Sequence, residues 1–347
     1  MKRYYLSYCD RNYLVRLVAL ARSLFTHEPK GTELIVICFD ELTRLLLEGL
    51  NIEGLSTIAL HTIEHGDHEL LSKRRLRSPT EYYWTMTPTL LLRVLERRPE
   101  IDVLTYTDAD TLFFSRADAI YDELASNSVL IHEHRYQASL AKLDNQAGRF
   151  NVGLMCFRND SEGLATLGWW RRACLDWCYA RFEDNKFGDQ KYLEAFPDRV
   201  TALQVLQYPG AGTAPWNHEN YRYSRGPSGD VYIDDVPLVH YHFHGLSLCS
   251  PTSFIAFRYS YPVTDEVLRE IYVPYIEALR RSMRELQAVL PGFDAGMTEP
   301  VATGAGGRPL LIHADAMPSF SAQYPILDAH PLTPDWRRVF IAAPAAS

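Results

Sequence analysis

Ile101-Asp102-Val103-Leu104-Thr105-Tyr106-Thr107-Asp108-Ala109-Asp110-Thr111-Leu112-Phe113-Phe114 is the stretch whose reading decides the fold. Ile101, Val103, Leu104 and Tyr106 form a short β-prone apolar run, which reads as a buried strand. It ends in two carboxylates, Asp108 and Asp110, one residue apart. On an extended backbone side chains two apart point the same way, so both acids are expected to face one spot. The carboxyl end of a strand is where open α/β sheets bind ligands. Two bare carboxylates at such a spot repel, and one tends to take up a proton. A divalent cation relieves the conflict, and oxygen ligands suit Mg²⁺ or Mn²⁺ with positions left for phosphate oxygens. For an isolated Asp-x-Asp a solvated turn is the simpler reading; the apolar strand before it and Leu-Phe-Phe after it favour a site.

The chain's 347 residues can bury a large core, and 47% apolar with 22% charged residues describes a globular protein. A net charge of −8 argues against a nucleic-acid partner. Cys9, Cys38, Cys156, Cys174, Cys178 and Cys249 include no C-x-x-C pair and sit among apolar residues, as reduced core thiols do. The first residues, Met-Lys-Arg-Tyr-Tyr-Leu-Ser-Tyr, lack a signal-peptide h-region, and no stretch reaches the apolar length of a membrane span. The expectation is a cytoplasmic enzyme of bacterial type.

Tyr4 to Tyr8, Leu34 to Phe39 and Leu55 to His61 read as strands, with helices at Leu14 to Leu24 and Glu41 to Leu50, the second capped by Asp40. This rhythm predicts a mostly parallel sheet flanked by helices. Thr87-Pro88 reads as an N-cap followed by proline, and Ser115 with Asp118 as a capping box. Val129 to His134, Phe150 to Phe157, Val231 to Ile233 and Pro237 to His244 are further strands. Asp160 or Ser161 caps a helix whose Trp169-Trp170 pair and apolar stripe read as core. Thr264 opens a long amphipathic helix to about Leu290. Beyond Pro291 the chain turns to Pro, Gly and Ala, with short apolar pieces at Leu310 to Ile312 and Val339 to Ile341.

Three further features carry chemistry. His240, His242 and His244 alternate along one strand; they read as a surface face, a zinc-like cluster, or one histidine joining two Asp ligands. Gly188-Asp189-Gln190 places polar groups at a helix start, suited to hydroxyls or a phosphate, although Asp189 can equally be only a cap. Gly153 in Asn151-Val152-Gly153 permits close backbone approach within a strand. The Lys73-Arg74-Arg75-Leu76-Arg77 loop reads most simply as solvated, with peripheral contact to an anionic membrane face as the alternative.

In this order the segments resemble the nucleotide-sugar glycosyltransferases of the GT-A fold, most nearly the retaining family 8 type. Cys9-Asp10-Arg11-Asn12-Tyr13 is similar to that family's Ala-Asp-x-Asn-Tyr loop, and Tyr106-Thr107-Asp108-Ala109-Asp110 to its metal motif. Phe150-Asn151-Val152-Gly153, Asp189-Gln190 and His242-Phe243-His244-Gly245 resemble its Phe-Asn-x-Gly, Asp-Gln-Asp and His-Phe-x-Gly segments. The resemblance covers roughly residues 1 to 250. It implies a GT-A catalytic domain over 1–250, with a nucleotide-binding half (1–115) and an acceptor and sugar half (116–250). A helical extension (251–290) and a tail (291–347) follow.

The resemblance further implies Mn²⁺ or Mg²⁺ on Asp108, Asp110 and His242, and donor contacts from Tyr8, Cys9, Asp10, Tyr13, Asp108, Ala109, Asn151 and Gly153. Asp189 and Gln190 would lie at the reacting carbon. The substrates implied are a nucleotide-sugar donor and a saccharide or lipid-linked acceptor, with retention of configuration and a place in bacterial surface polysaccharide synthesis. Two positions depart from the family: Lys191 replaces its second Asp, and Leu248 its diphosphate-binding Lys. Lys186, Arg74, Arg75 and Arg77 are the cations left to meet the diphosphate. Rival classes are a sugar-phosphate nucleotidyltransferase, which would carry a glycine-rich loop after the first strand, and a non-catalytic carbohydrate-binding protein. A zinc hydrolase would need an H-E-x-x-H motif, which this sequence lacks.

Overall fold

The computed structural model describes residues 2–256, 261 and 263–298, and the backbone of Leu310–His313 and Phe340–Ala342. Its strands are β1 (Tyr4–Cys9), β2 (Glu33–Cys38), β3 (Leu55–Ala59), β4 (Val103–Thr107), β5 (Thr111–Phe113), β6 (Val129–Glu133), β7 (Phe150–Arg158) and β8 (Leu203–Val205). Then come β9 (Tyr223–Arg225), β10 (Val231–Ile233), β11 (Val236–Pro237), β12 (His240–His242), β13 (Ser247–Ser250), β14 (Ser253–Ile255), β15 (Leu310–His313) and β16 (Phe340–Ala342). The helices are α1 (Leu14–His27), α2 (Glu41–Leu50), α3 (Leu60–Glu64), α4 (His68–Arg74), α5 (Pro79–Arg97), α6 (Asp118–Leu124), α7 (Leu143–Ala147) and α8 (Ser161–Asp176). They are followed by α9 (Phe196–Arg199), α10 (Asp265–Val267), which runs through a π-helical stretch at Leu268–Tyr272, and α11 (Val273–Val289).

Seven strands form the central sheet in the order β3-β2-β1-β4-β7-β6-β8. Only β7 opposes its neighbours β4 and β6; every other pairing is parallel. This is the mixed, mostly parallel α/β architecture expected of a GT-A fold. Apolar side chains cover both faces, which is why the strands read as near-continuous apolar runs. Tyr5 and Cys9 of β1 join α1 and α11 on one face, while Tyr4 and Leu6 join α5 and α8 on the other. A two-stranded antiparallel sheet, β12-β5, hangs below the carboxyl end of β4 and brings His242 opposite Thr111.

Several elements differ from the sequence expectations. Helix α5 begins at Pro79, not Pro88: Ser78 and Glu81 form a full capping box, and Pro88 lies inside the helix without an N–H to return to Trp84. Strand β3 stops at Ala59, and His61 belongs to α3. Ser115 caps nothing; its hydroxyl donates to the Leu238 carbonyl, while the start of α6 is met by Glu28, which accepts from the Ala117 amide. The expected strand Pro237 to His244 is split into β11, paired with β10, and β12, paired with β5. The loop at 135–149 contains α7 and a single 3₁₀ turn. In the tail, the apolar pieces at 310 and 340 form β15 and β16, which extend the β13-β14 pair to four strands. No helix among the described residues is long and apolar enough to cross a membrane.

The basic loop is also corrected. Lys73 and Arg74 end α4, and Arg74 reaches Glu64 at 3.3 Å. Arg75 is exposed, and Leu76 is 68% exposed. Arg77, by contrast, is buried, donating to the Cys174 carbonyl at 2.8 Å, the Leu175 carbonyl at 2.9 Å and the Thr85 hydroxyl. It satisfies the carboxyl end of α8, where helix carbonyls have no intrahelical donor. Replacing Arg77 with Ala leaves those carbonyls buried and unmet, so urea unfolding should show a loss of about 2–4 kcal/mol. Arg75→Ala should stay within about 0.5 kcal/mol.

Candidate active site

Asp108, Ala109 and Asp110 sit in the tight turn between β4 and β5 rather than on an extended strand. The acids nevertheless converge, because hydrogen bonds pin the turn's backbone. The Asp108 amide donates to the Gly153 carbonyl of β7 at 3.1 Å, and the Phe243 amide donates to the Asp110 carbonyl at 2.8 Å. The Thr111 hydroxyl closes the turn onto the Asp108 carbonyl at 2.8 Å. His242 Nε2 then lies 3.2 Å from Asp110 Oδ1 and 3.8 Å from Asp108 Oδ2. One ligand atom from each of the three residues falls within 4.8 Å of the others.

That donor set fits a small divalent cation. Ligands about 2.1 Å from an octahedral ion are about 3 Å apart along each edge, close to the spacings found here. Burial pushes the Asp108 carboxyl up, His242 opposes that, and Asp110 adds to it; the Tyr106 hydroxyl donates to Asp108 at 2.5 Å. Burial also acts to raise Asp110, but the facing His242 charge and hydrogen bond hold it well below the usual carboxylate range, with Arg16 acting the same way. Burial would lower His242; Asp110 and then Asp108 keep it above its ordinary value.

The other two histidines do not join this group. His240 Nε2 meets the Thr107 hydroxyl at 3.2 Å, and burial takes it down to about 3. Burial lowers His244 to about 4, with its ring 5.5 Å from that of Trp216. Among the described residues the three histidines form no metal cluster of their own. Gly153 explains how His242 comes so close: a Cβ there would lie 2.7 Å from His242 Nδ1 and 2.7 Å from Asn151 Oδ1.

Asn151 and Gln190 meet beside this group. Asn151 Nδ2 donates to Gln190 Oε1 at 2.9 Å, its Oδ1 accepts from the Gly153 amide, and Gln190 Nε2 donates to the Ala147 carbonyl. Asp189 does not cap the following 3₁₀ turn with its side chain. Its carboxyl is buried next to the Thr87 hydroxyl, and burial raises it to about 7, with Asp108 adding in the same direction. Tyr8 bridges towards the first loop: its hydroxyl meets Thr87 at 3.1 Å and its ring stacks on Phe39 at 4.9 Å. Tyr83 packs edge-on against Phe39 and donates to Asp10, which also accepts from the Asn12 amide.

Other expected residues fall differently. The Cys9 side chain is buried in the core, leaving only its backbone to meet a ligand. Lys186 sits in the Glu183–Lys186 turn, 5.4 Å over the Trp177 ring. Arg77 is committed to α8 and cannot serve a diphosphate. Lys191 is buried and pairs with Glu194 at 2.9 Å, its ammonium near the Asp144 and Asn145 carbonyls of α7. Leu248 is buried in the core and pairs with Phe254 across β13 and β14, so an apolar side chain fills the position.

One residue escaped the sequence reading. Arg16, on the first turn of α1, is 6% exposed and donates to the Asn12 carbonyl at 3.3 Å and the Leu246 carbonyl at 3.0 Å. The signal was a lone arginine inside the apolar run Leu14-Val15-Arg16-Leu17-Val18, since arginine is seldom buried without a task.

Two outcomes follow from this geometry. Gly153→Ala should displace the His242 ring and weaken Mn²⁺ binding, read by titration calorimetry, by about 10–100-fold. Asp189 has a folded pKa of about 7 against an ordinary value of 3.8. Its contribution to stability is therefore complete below that ordinary value and is lost as pH rises through the folded one. In metal-free protein Asp189→Asn should flatten the fall in unfolding free energy between about pH 4 and pH 7, and be the more stable form above that range.

No family model matches the chain. Among solved structures it resembles the galactosyltransferase LgtC in complex with donor and acceptor sugar analogues, at 14% identity, 82% of this chain, 96% of that one and TM-score 0.49. It also resembles the glycosyltransferase GlyE of Streptococcus pneumoniae TIGR4, at 15% identity, 83% of this chain, 63% of that one and TM-score 0.48. Overlaps of that extent do not identify an activity. The sequence relatives are closer. Bacillus subtilis YfnF, an uncharacterized protein, is 28% identical over 298 residues, covering 83% of this chain and 96% of YfnF. B. subtilis YfnD, also uncharacterized, is 32% identical over 290 residues, covering 83% of this chain and 92% of YfnD. At that identity and coverage, the chain belongs to the same family as YfnD.

Proposed function

We propose that the chain is a metal-dependent GT-A glycosyltransferase that moves a hexose from a nucleoside-diphosphate sugar, UDP-linked in the first instance, to a saccharide or lipid-linked saccharide. The observation that carries the reading is the convergence of the half-buried Asp108 and Asp110 with the buried His242 at the carboxyl end of β4, next to the β1 loop. Asp108, Asp110 and His242 would hold Mn²⁺ or Mg²⁺, which when bound supplies Lewis-acid neutralisation of charge on the departing diphosphate. Phe39, Tyr83 and Asp10 offer aromatic faces and a carboxylate for a nucleobase. Asn151 and Gln190, held by each other's amides, would fix the donor sugar's hydroxyls with little reorganisation.

Transfer breaks the bond between the anomeric carbon and the diphosphate oxygen, which keeps the electron pair. The acceptor hydroxyl forms the new bond, and with retention its proton passes to the departing oxygen on the same face. The resemblance to retaining enzymes supports that course. One observation favours inversion as a second reading: Asp189, buried and raised to about 7, is tuned for a general base. The anomeric configuration of the product, read by NMR, separates the two. The β1 loop at Asp10–Tyr13 contains no glycine, which counts against a nucleotidyltransferase. The wider proposal is a cytoplasmic enzyme of surface polysaccharide synthesis. With Arg77 withdrawn, Lys73, Arg74 and Arg75 are the loop cations left for an anionic membrane face.

Incubation with UDP-glucose or UDP-galactose and Mn²⁺, without acceptor, should release UDP slowly, and chelation should stop it. Asp110→Asn should lower that rate by about 100-fold or more while leaving the unfolding midpoint near that of the parent chain.

A further inference from the structure

A diphosphate leaving group gains negative charge as it departs, and it would do so here beside two aspartates. The chain carries leucine, buried in the core, where the resembled family would bring a lysine to meet that charge. The cations suggested by the sequence are engaged elsewhere or exposed: Lys186 over Trp177, Arg74 with Glu64, Arg77 on α8, and Arg75 on the surface. We infer that Arg16, reaching the site from α1, is the group that binds the diphosphate. The inference rests on the glycosyltransferase reading and assigns a residue to it that the sequence motifs do not contain.

The position of Arg16 is fixed by the two segments that bracket the site. Its Nη1 holds the Asn12 carbonyl in the loop after β1, and its Nη2 holds the Leu246 carbonyl in the turn after β12. The Leu246 amide donates to the Phe243 carbonyl at 3.2 Å, and the Phe243 amide donates to the Asp110 carbonyl at 2.8 Å. A short ladder of hydrogen bonds thus ties the guanidinium to the backbone of the acidic turn. The guanidinium carbon lies 4.6 Å over the ring of Tyr13.

The chemistry of the side chain fits the assignment. A guanidinium has five N–H donors, so the two carbonyls leave three for oxygens of a ligand, in the planar fork that suits phosphate. It is nearly buried, and among the described residues no carboxylate forms an ion pair with it. Its charge meets two carbonyls and the Tyr13 ring and acts on Asp110 without an ion pair, so it is incompletely compensated, and a bound diphosphate would supply further counter-charge. A purely structural arginine, bridging the two segments and nothing more, would make the same carbonyl contacts. Binding of matched nucleotides with and without the second phosphate separates the two roles.

The test uses the full chain with Mn²⁺ and four nucleotide pairs: UDP and UMP, GDP and GMP, CDP and CMP, ADP and AMP, with affinities from calorimetry. For whichever base the parent chain prefers, Arg16→Met should weaken the diphosphate by about 10–100-fold and the monophosphate by less than about 3-fold. Arg16→Lys, which keeps the charge and is the milder change if Arg16→Met folds poorly, should recover most of the diphosphate affinity. Equal weakening of both nucleotides in both variants, or no weakening, would overturn the assignment and leave the glycosyltransferase reading standing. A parent chain that binds none of the four diphosphates would overturn both.

Discussion

Two carboxylates held in one half-buried turn repel each other, and the arrangement around β4 exists in spite of that repulsion. Gly153 and Phe243 hold the backbone of Asp108 and Asp110, while the Tyr106 hydroxyl and His242 hold their carboxylates. His242 offsets part of the conflict, drawing Asp110 into its ionised form while Asp108 is pushed towards protonation. An acidic pair kept together at that cost is a place for added positive charge.

The rest of the fold serves to bring three distant segments to this point. The parallel strands β1 and β4 end side by side, so the loop at Asp10 and the turn at Asp108 open on the same edge of the sheet. The single reversed strand, β7, runs back past β4 and sets Gly153 against Asp108 and Asn151 against Gln190. The small β5-β12 sheet delivers His242. Helices α1 and α11 pack behind the turn in one shared core, so the helix past residue 264 belongs to the same body as the first strands.

Legibility in the sequence followed the range of the interactions involved. Strands β1, β2 and β4 were visible because a strand covered on both faces is a continuous apolar run, and the Asp40 cap because its partner is Thr43, three residues away. Thr87-Pro88 misled because the same local pattern occurs more completely at Ser78-Pro79-Thr80-Glu81, which sits behind a basic run. Arg77 could not be read as buried, since its acceptors lie about a hundred positions away in α8. At the site, the types and order of Asp108, Asp110, Asn151, Gly153, Asp189 and His242 were legible. Their mutual contacts were not: the Asn151–Gln190 amide pair, the steric demand at Gly153 and the place of Arg16 all depend on segments far apart in the chain.

The central claim is that Asp108, Asp110 and His242 together hold the cation on which the nucleotide diphosphate sits. Diffraction from crystals grown with Mn²⁺ and UDP, collected across the manganese absorption edge, tests it directly. The account predicts one anomalous peak about 2.1–2.3 Å from an oxygen of each acid and from His242 Nε2, bridging to the phosphates. A manganese peak away from these three side chains, or bound UDP with no peak among them, would contradict it.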